Sequence, residues 1–388
     1  MRAILNFIFC LAIALAITFL ITGSGGIFVI MTLLVALIFS IFIVFNTRRT
    51  LKCNVKLSSE TVSKGEDFYV EIVLNKSSFL PTCFLEFEIG RSLNISSDKS
   101  LTFRLISAQR DLEKIKIPLR ADYCGEGSVF IRSITLVDYL GVYKKKMDLD
   151  NESVKYIKVL PSIPDTGTQI EVIKSASANM SFDDSDEETN ETSLGLTGVA
   201  GYDHRQYVEG DPLKRINWKM SSKRNILMVR LDEKVASASL VFRLDYPQYN
   251  DGGMEYVTNS DRIIEASLAM LAMLLEQGYE SEYNYYLDGW QTLEIKDDKT
   301  LIYLQEQLGG IRPYSEQQRF PDKNINSKNK SEICFTTCTR TMVKQISEFV
   351  EGFNGSLVVT KESGLDSIFP DMWTVNSDFE FEKLQGGS

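Results

Sequence analysis

Histidine is almost missing: the 388-residue chain holds one, His204. Any Ser-His or Cys-His mechanism would have to use it. Its neighbour Arg205 lowers the protonated fraction of an imidazole, and His204 reads as a loop residue without a catalytic part. Metal-type cysteine pairs are missing too. The six cysteines are Cys10, Cys53, Cys83, Cys124, Cys334 and Cys338, and no two are spaced as CxxC. They read as reduced, mostly buried thiols, in keeping with a reducing compartment. Cys334 and Cys338 face one side of an expected strand, either as core thiols or as a redox pair. No phosphate loop occurs, because the "GSGG" stretch lacks the lysine of a P-loop. A basic excess is also absent. The chain has 42 Lys and Arg against 52 Asp and Glu, a net charge of -10. That excludes the broad basic face of a nucleic-acid binder. Among 52 carboxylates no acid pair can be singled out, and no cofactor is implied.

Charge is absent from two further stretches, Ala3 to Thr22 and Ile27 to Phe45. Each is close to the roughly 20 residues that cross a bilayer as a helix. Gly23-Ser24-Gly25-Gly26 between them is turn-forming, so the pair reads as a transmembrane helical hairpin. Arg2 precedes it; Arg48, Arg49, Lys52 and Lys56 follow it. The positive-inside rule then places both termini and the soluble body in the cytoplasm of a multi-pass plasma-membrane protein.

From Leu51 to Pro161 short alternating runs such as "DFYVEIVL" and "CFLEFEI" are separated by turn residues. Period-two alternation marks half-buried antiparallel strands. About seven of them suggest an immunoglobulin-like β-sandwich. "SFDDSDEETNE" follows, with six acids, too polar to bury a core. It reads as a solvated linker or as an acidic lure for a basic partner. After residue 225 strands alternate with helices, which implies a largely parallel sheet covered on both faces. "DRIIEASLAMLAMLLEQG" is an amphipathic helix expected to start at an Asp261 cap and stop at Gly278. Asp288-Gly289 signals a two-residue type I′ hairpin, and "GSLVVT" reads as the last strand.

The stretch from Arg205 to Arg224, "RQYVEGDPLKRINWKMSSKR", holds six basic residues and two acids. Asp211 and Pro212 form a good helix start, and a helix through Ser222 puts Arg215, Trp218 and Lys219 on one side. Two readings stand. Trp218 packs in the core while Arg215 and Lys219 pair with carboxylates such as Asp211 or Asp245. Alternatively, the cations form a docking face for an acidic partner or for anionic lipid.

This stretch resembles the signature of the family called domain of unknown function 58. The matching positions are Arg205, Tyr207, Gly210, Asp211, Arg215, Ile216, Trp218, Lys219 and Ser221; Ser222 stands for Ala and Lys223 for Arg. "DYLGVYKK" and "IKVLP" resemble that family's turn and strand near the end of its β region. The resemblance implies a membrane-anchored protein whose C-terminal part is similar to a von Willebrand factor type A domain. It implies partnership with a MoxR-type AAA+ ATPase, and with a transglutaminase-like membrane protein as a further candidate. Type A domains often bind Mg²⁺ through Asp-x-Ser-x-Ser. Here Asp245 keeps the first place, while Pro247 and Tyr249 replace the serines. A hard cation needs several close oxygens, so the metal site is expected to be degenerate.

The expected organisation is therefore two transmembrane helices over 1–46, a β-sandwich over 47–165, an acidic linker over 166–197 and a basic signature segment over 198–235. An α/β domain over 236–362 and a C-terminal tail over 363–388 follow. The leading function is a non-catalytic, membrane-anchored adaptor. A carboxylate-dependent hydrolase is the alternative, or an adhesive extracytoplasmic module if the topology is reversed.

Overall fold

The computed structural model describes residues 2–20, 25–106, 113–148, 154–164, 172, 200–207, 216, 218–224, 226–232, 239–248, 253–315, 330–338, 355–363 and 371–384. The chain divides into two compact units, Met1–Pro161 and Ser162–Ser388. The 166–197 linker, apart from Val172, and the stretch 340–353, whose apolar spacing predicts a further helix, lie outside the described residues.

The first unit opens with α1 (Arg2–Leu20) and α2 (Gly25–Thr50). Of the described helices, α2 alone is long and apolar enough to cross a membrane, with mean hydropathy 3.2 in its most apolar window. The apolar part of α1, Ile4–Thr18, is shorter. Gly26 lets Thr18 lie directly against the first turn of α2, where any side chain would collide. The helix does not stop where the uncharged run stops. It continues through Arg48 and Arg49 and passes straight into the first strand.

Ten strands follow: β1 (Leu51–Leu57), β2 (Thr61–Ser63), β3 (Asp67–Lys76), β4 (Phe84–Arg91), β5 (Ile95–Ser96), β6 (Thr102–Leu105), β7 (Glu113–Ala121), β8 (Gly125–Val137), β9 (Lys144–Lys146) and β10 (Val154–Leu160). They form two sheets, β1-β3-β7-β5 and β2-β10-β8-β4-β6, with β9 beside β8. Pairing is antiparallel except between β2 and β10. The inward residues of both sheets share one core. Val70, Ile72 and Leu74 of β3 belong to it with Leu85, Phe87 and Ile89 of β4. Burying each such side chain contributes about 1.5–3 kcal/mol.

Two members of that core, Ile43 and Val44, come from α2. The buried residues in its second half are Ser40, Ile43, Val44 and Thr47, spaced as one helical face. The Ser40 hydroxyl donates to Asp138 (3.0 Å) and accepts from the Tyr139 amide (2.9 Å). Thr47 Oγ1 accepts from the Cys83 amide (3.2 Å). Phe45 stacks near Tyr143 with ring centroids 6.0 Å apart. Asp138 also accepts from the amides of Leu140 (3.3 Å) and Tyr143 (2.8 Å), so it closes the turn between β8 and β9 while it holds the helix. All six cysteines are free, and burial pushes the Cys53 thiol up to about 12.

The second unit begins with a ribbon, β11 (Ala200–Gln206) paired antiparallel with β12 (Met228–Asp232), and the helix α3 (Trp218–Arg224) lies between them in sequence. Its main body is β13 (Ser239–Asp245), α4 (Met254–Glu276), β14 (Ser281–Tyr286), β15 (Trp290–Ile295), α5 (Asp298–Leu308), β16 (Lys330–Thr336), β17 (Gly355–Thr360), β18 (Met372–Val375) and β19 (Phe381–Lys383). The sheet order is β15-β14-β13-β16-β17-β18-β19. Its five inner strands are parallel and both edges are antiparallel.

Three expectations differ from the structure of this unit. Helix α4 starts from Gly253 rather than an Asp261 cap, and Asp261 is buried inside it. The extra turns hold because Tyr256 packs against Tyr246 and its hydroxyl donates to the Pro247 carbonyl. The helix stop is as expected: Gly278 takes φ 80° and the Tyr279 amide reaches back to the Leu274 carbonyl (3.0 Å). In the hairpin, Tyr286 pairs with Trp290, so three residues turn the chain where Asp-Gly predicts two. "GSLVVT" is not the last strand, because β18 and β19 extend the sheet through the expected tail. "MWTV" is too short to announce itself as a strand, yet its four residues are buried.

Replacing Asp138 with Ala strands two amides and the Ser40 hydroxyl. Hydrogen bonds to a charged group contribute about 1.5–3 kcal/mol. A denaturant melt of the detergent-solubilised chain should show a loss of that size, while Lys99→Ala, at an exposed turn, should stay within about 0.5 kcal/mol.

Candidate functional site

In an open parallel sheet, ligands meet the carboxyl ends of strands where the strand order reverses. Here the chain leaves β13 toward β14 on one side and later returns to β16 on the other. The reversal therefore falls at the carboxyl ends of β13 and β16. Asp245 is the last residue of β13, and Thr336 the last of β16 stands beside it in register.

Asp245 is buried, and its oxygens are already engaged. Oδ1 accepts from the Tyr314 hydroxyl. Oδ2 accepts from Thr336 Oγ1 at 2.7 Å and from the Cys338 thiol at 3.7 Å. Its backbone carbonyl takes the Thr337 amide (3.1 Å). Tyr314 reaches the site because its strand segment bridges Pro247 in parallel, with its amide on the Tyr246 carbonyl (3.0 Å) and its carbonyl on the Gln248 amide (2.7 Å). The Tyr314 ring then packs against Tyr286 and Trp290, each at 5.4 Å between centroids.

Burial, with the neighbouring Asp245 charge, pushes the Tyr314 hydroxyl far above its usual range, so it stays a donor. Burial and Asp245 likewise raise the Cys334 thiol, with Arg243 opposing them. A nucleophilic cysteine needs the opposite shift. On the same face Arg243 forms a buried ion pair with Glu332 at 2.5 Å. The cluster does chemically what a closed hydrogen-bond shell does: it fixes a carboxylate and joins two strand ends. Among the described residues no group of three or more His, Cys, Asp or Glu is placed to hold a metal. Tyr249 lies outside the described residues, and Pro247 contributes a carbonyl that accepts from Tyr256.

The basic signature is elsewhere. Arg205 stands in β11 opposite Val229. The half-buried Tyr207 follows, its amide on the Leu227 carbonyl (2.8 Å). Gly210, Asp211 and Arg215 lie outside the described residues. Ile216 is buried in an isolated bridge, so the helix begins at Trp218 and not at an Asp211 cap. The reading that buries Trp218 is also corrected: this ring is 66% exposed. Lys219, Ser222, Lys223 and Arg224 are exposed as well. Ser221 is the anchor, since it is buried and its hydroxyl accepts from the Met228 amide at 2.9 Å. Sequence reasoning missed Tyr314, Thr336 and Tyr256. Tyr314 lies 69 residues from Asp245, and no local pattern joins them.

Tyr314→Phe removes one donor from a buried carboxyl, at a cost of about 1–3 kcal/mol. The raised hydroxyl also sets a pH dependence. Its stabilisation is complete below the ordinary tyrosine value of 10.0 and is lost as pH rises beyond it, since only the unfolded chain then releases the proton. Melts at rising alkaline pH should show a shallower loss for Tyr314→Phe than for the parent.

No family model matches the chain, and no curated protein matches it. Solved structures give partial likenesses. One is Escherichia coli alpha-2-macroglobulin from domain MG7 to the C-terminus, 16% identical over 29% of this chain and 17% of that one, with TM-score 0.22. Another is the human seminal complex of zinc 2-glycoprotein and prolactin inducible protein, 6% identical over 28% and 93%, TM-score 0.22. A third is the seventh ScaB type I cohesin of Pseudobacteroides cellulosolvens, 10% identical over 29% and 94%, TM-score 0.20. Likenesses this slight transfer neither fold nor function.

Proposed function

We propose that the chain is a membrane-anchored, non-catalytic adaptor that works with a MoxR-type AAA+ ATPase. In this reading α1 and α2 form a transmembrane hairpin, with both termini and the soluble body in the cytoplasm. The first unit is an immunoglobulin-like sandwich. The second is the type A-like domain of a protein of the domain of unknown function 58 kind. A transglutaminase-like membrane protein is a further partner.

The observation that carries the proposal is the exposure of Trp218. A large aromatic held at the surface costs solvation unless something covers it, and Trp and Arg dominate binding hot spots. Trp218 stands at the head of a short helix whose exposed residues include Lys219, Lys223 and Arg224. That favours a docking face for an acidic partner over an internal clasp. The engaged oxygens of Asp245 and the protonated thiol of Cys334 favour a binding role over hydrolysis. Arg48 and Arg49 in the last turn of α2 suit the cytoplasmic side.

The test is capture of the ATPase from solubilised membranes by Trp218→Ala, and by Lys219→Glu combined with Lys223→Glu. Both variants should melt within about 0.5 kcal/mol of the parent and lose capture. Parent capture should weaken with salt, since exposed charges are screened beyond roughly 8 Å at physiological ionic strength. Undiminished capture by both variants would overturn the docking face, and a large loss of stability would restore the clasp.

A further inference from the structure

We propose that the pole of the first unit from which α2 emerges is itself a membrane-contact surface, seated in the interface of a bilayer that contains anionic phospholipid. This rests on the reading that α2 spans the bilayer.

Gly25 through Phe39 covers roughly 22 Å at about 1.5 Å per residue, short of the roughly 30 Å of hydrocarbon that a span of about 20 residues must cross. The boundary therefore falls near Val44 and Phe45. Yet the first unit already grips α2 above that level. Ser40 is hydrogen-bonded to Asp138 and Tyr139. The turn after β8 is thus held about five residues, or roughly 7 Å, inside the boundary, within the roughly 5–10 Å to which interfacial segments sink. Lower down, Asn46 Nδ2 donates to Ser78 Oγ (2.8 Å) and brings the loop before β4 to the boundary itself.

The side chains on these two segments suit that depth. Phe79 is 85% exposed, the highest value among the described large apolar side chains, and Tyr139 and Leu140 are also exposed. Phe42 and Phe45 are exposed on the part of α2 alongside. The polar groups at this depth have partners: Asp138 accepts from Ser40, Leu140 and Tyr143, and the Tyr139 hydroxyl donates to the Thr82 carbonyl (2.7 Å). Exposed cations lie on the elements that adjoin these two segments in sequence or in the sheets. They are Arg49 at the end of α2, Lys52 in β1, and Lys145 and Lys146 in β9. The acids nearby are occupied, Asp148 by Arg48 and Glu86 by Arg104 and Lys144. Anionic headgroups attract such juxtamembrane cations. The opposite pole, where β1 ends and β3 begins, is more acidic: Glu60, Glu66 and Asp67 are exposed there beside Arg120, with Leu93 and Tyr69 as large exposed apolar residues.

The test places a photoreactive benzoylphenylalanine at Phe79, Leu140, Phe39 or Leu93 of the full chain. Each variant is reconstituted in phosphatidylcholine vesicles with and without phosphatidylserine. Position 39 reports on α2 itself and position 93 on the far pole. Lipid adducts are expected from 39, 79 and 140, with none from 93, and yields at 79 and 140 should fall when phosphatidylserine is left out. Adducts from 39 alone would overturn the proposal and leave the anchor standing. No adduct from 39 would overturn both. Crosslinks from 79 or 140 to protein, whether a second copy or another chain, would replace lipid as the occupant. Equal yields without phosphatidylserine would overturn the anionic preference.

Discussion

Helix α2 is held by one repeated face, on which Ser40, Ile43, Val44 and Thr47 recur at helical spacing and are buried. The two branched side chains enter the core shared by both sheets. The two hydroxyls take up backbone amides of the turn after β8 and of the segment before β4. Because α2 passes into β1 with no intervening residue, the helix cannot tilt without moving a strand. A flexible linker would let a tethered domain rotate freely. This junction does not, and the depth argument for the loops of the first unit follows from that constraint.

Polar burial is handled alike in both units. Asp138 is fully buried and accepts from a hydroxyl and two amides. Asp245 is buried and accepts from two hydroxyls and a thiol. Each carboxyl joins segments far apart in sequence, and each would be costly if its donors were removed, since an unsatisfied buried polar group forfeits its hydration. At the carboxyl edge of the sheet this gives rigidity where many folds keep an open site. Function is then expected on exposed surfaces, and α3 with Trp218 is such a surface.

Periodicity made much of this legible. Alternation announced the strands of the first unit, and the uncharged runs announced α1 and α2. Strands alternating with helices announced the parallel sheet with its antiparallel hairpin edge. What stayed hidden depended on tertiary contact. The start of α4 was misplaced because Tyr256 finds Tyr246 and Pro247 only in the folded chain. Strands β18 and β19 were missed because four and three residues are too few to show a period. At the candidate site, Asp245 was visible as the residue ending a strand. Tyr314 was not, since its approach is set by a bridge to Pro247. For Trp218 the helical spacing leaves a core reading and a docking reading open, and its position at the head of a seven-residue helix leaves it exposed.

The central claim is that α2 and the first β unit form one rigid piece. Hydrogen exchange of the detergent-solubilised chain tests it most directly, at the amides of Cys83, Tyr139 and Tyr143, which donate to Thr47, Ser40 and Asp138. The account predicts that these amides are protected as strongly as those in the centres of β3 and β4. Exchange at the rate of exposed turns such as Ser97 to Ser100, with the strand centres still protected, would contradict it.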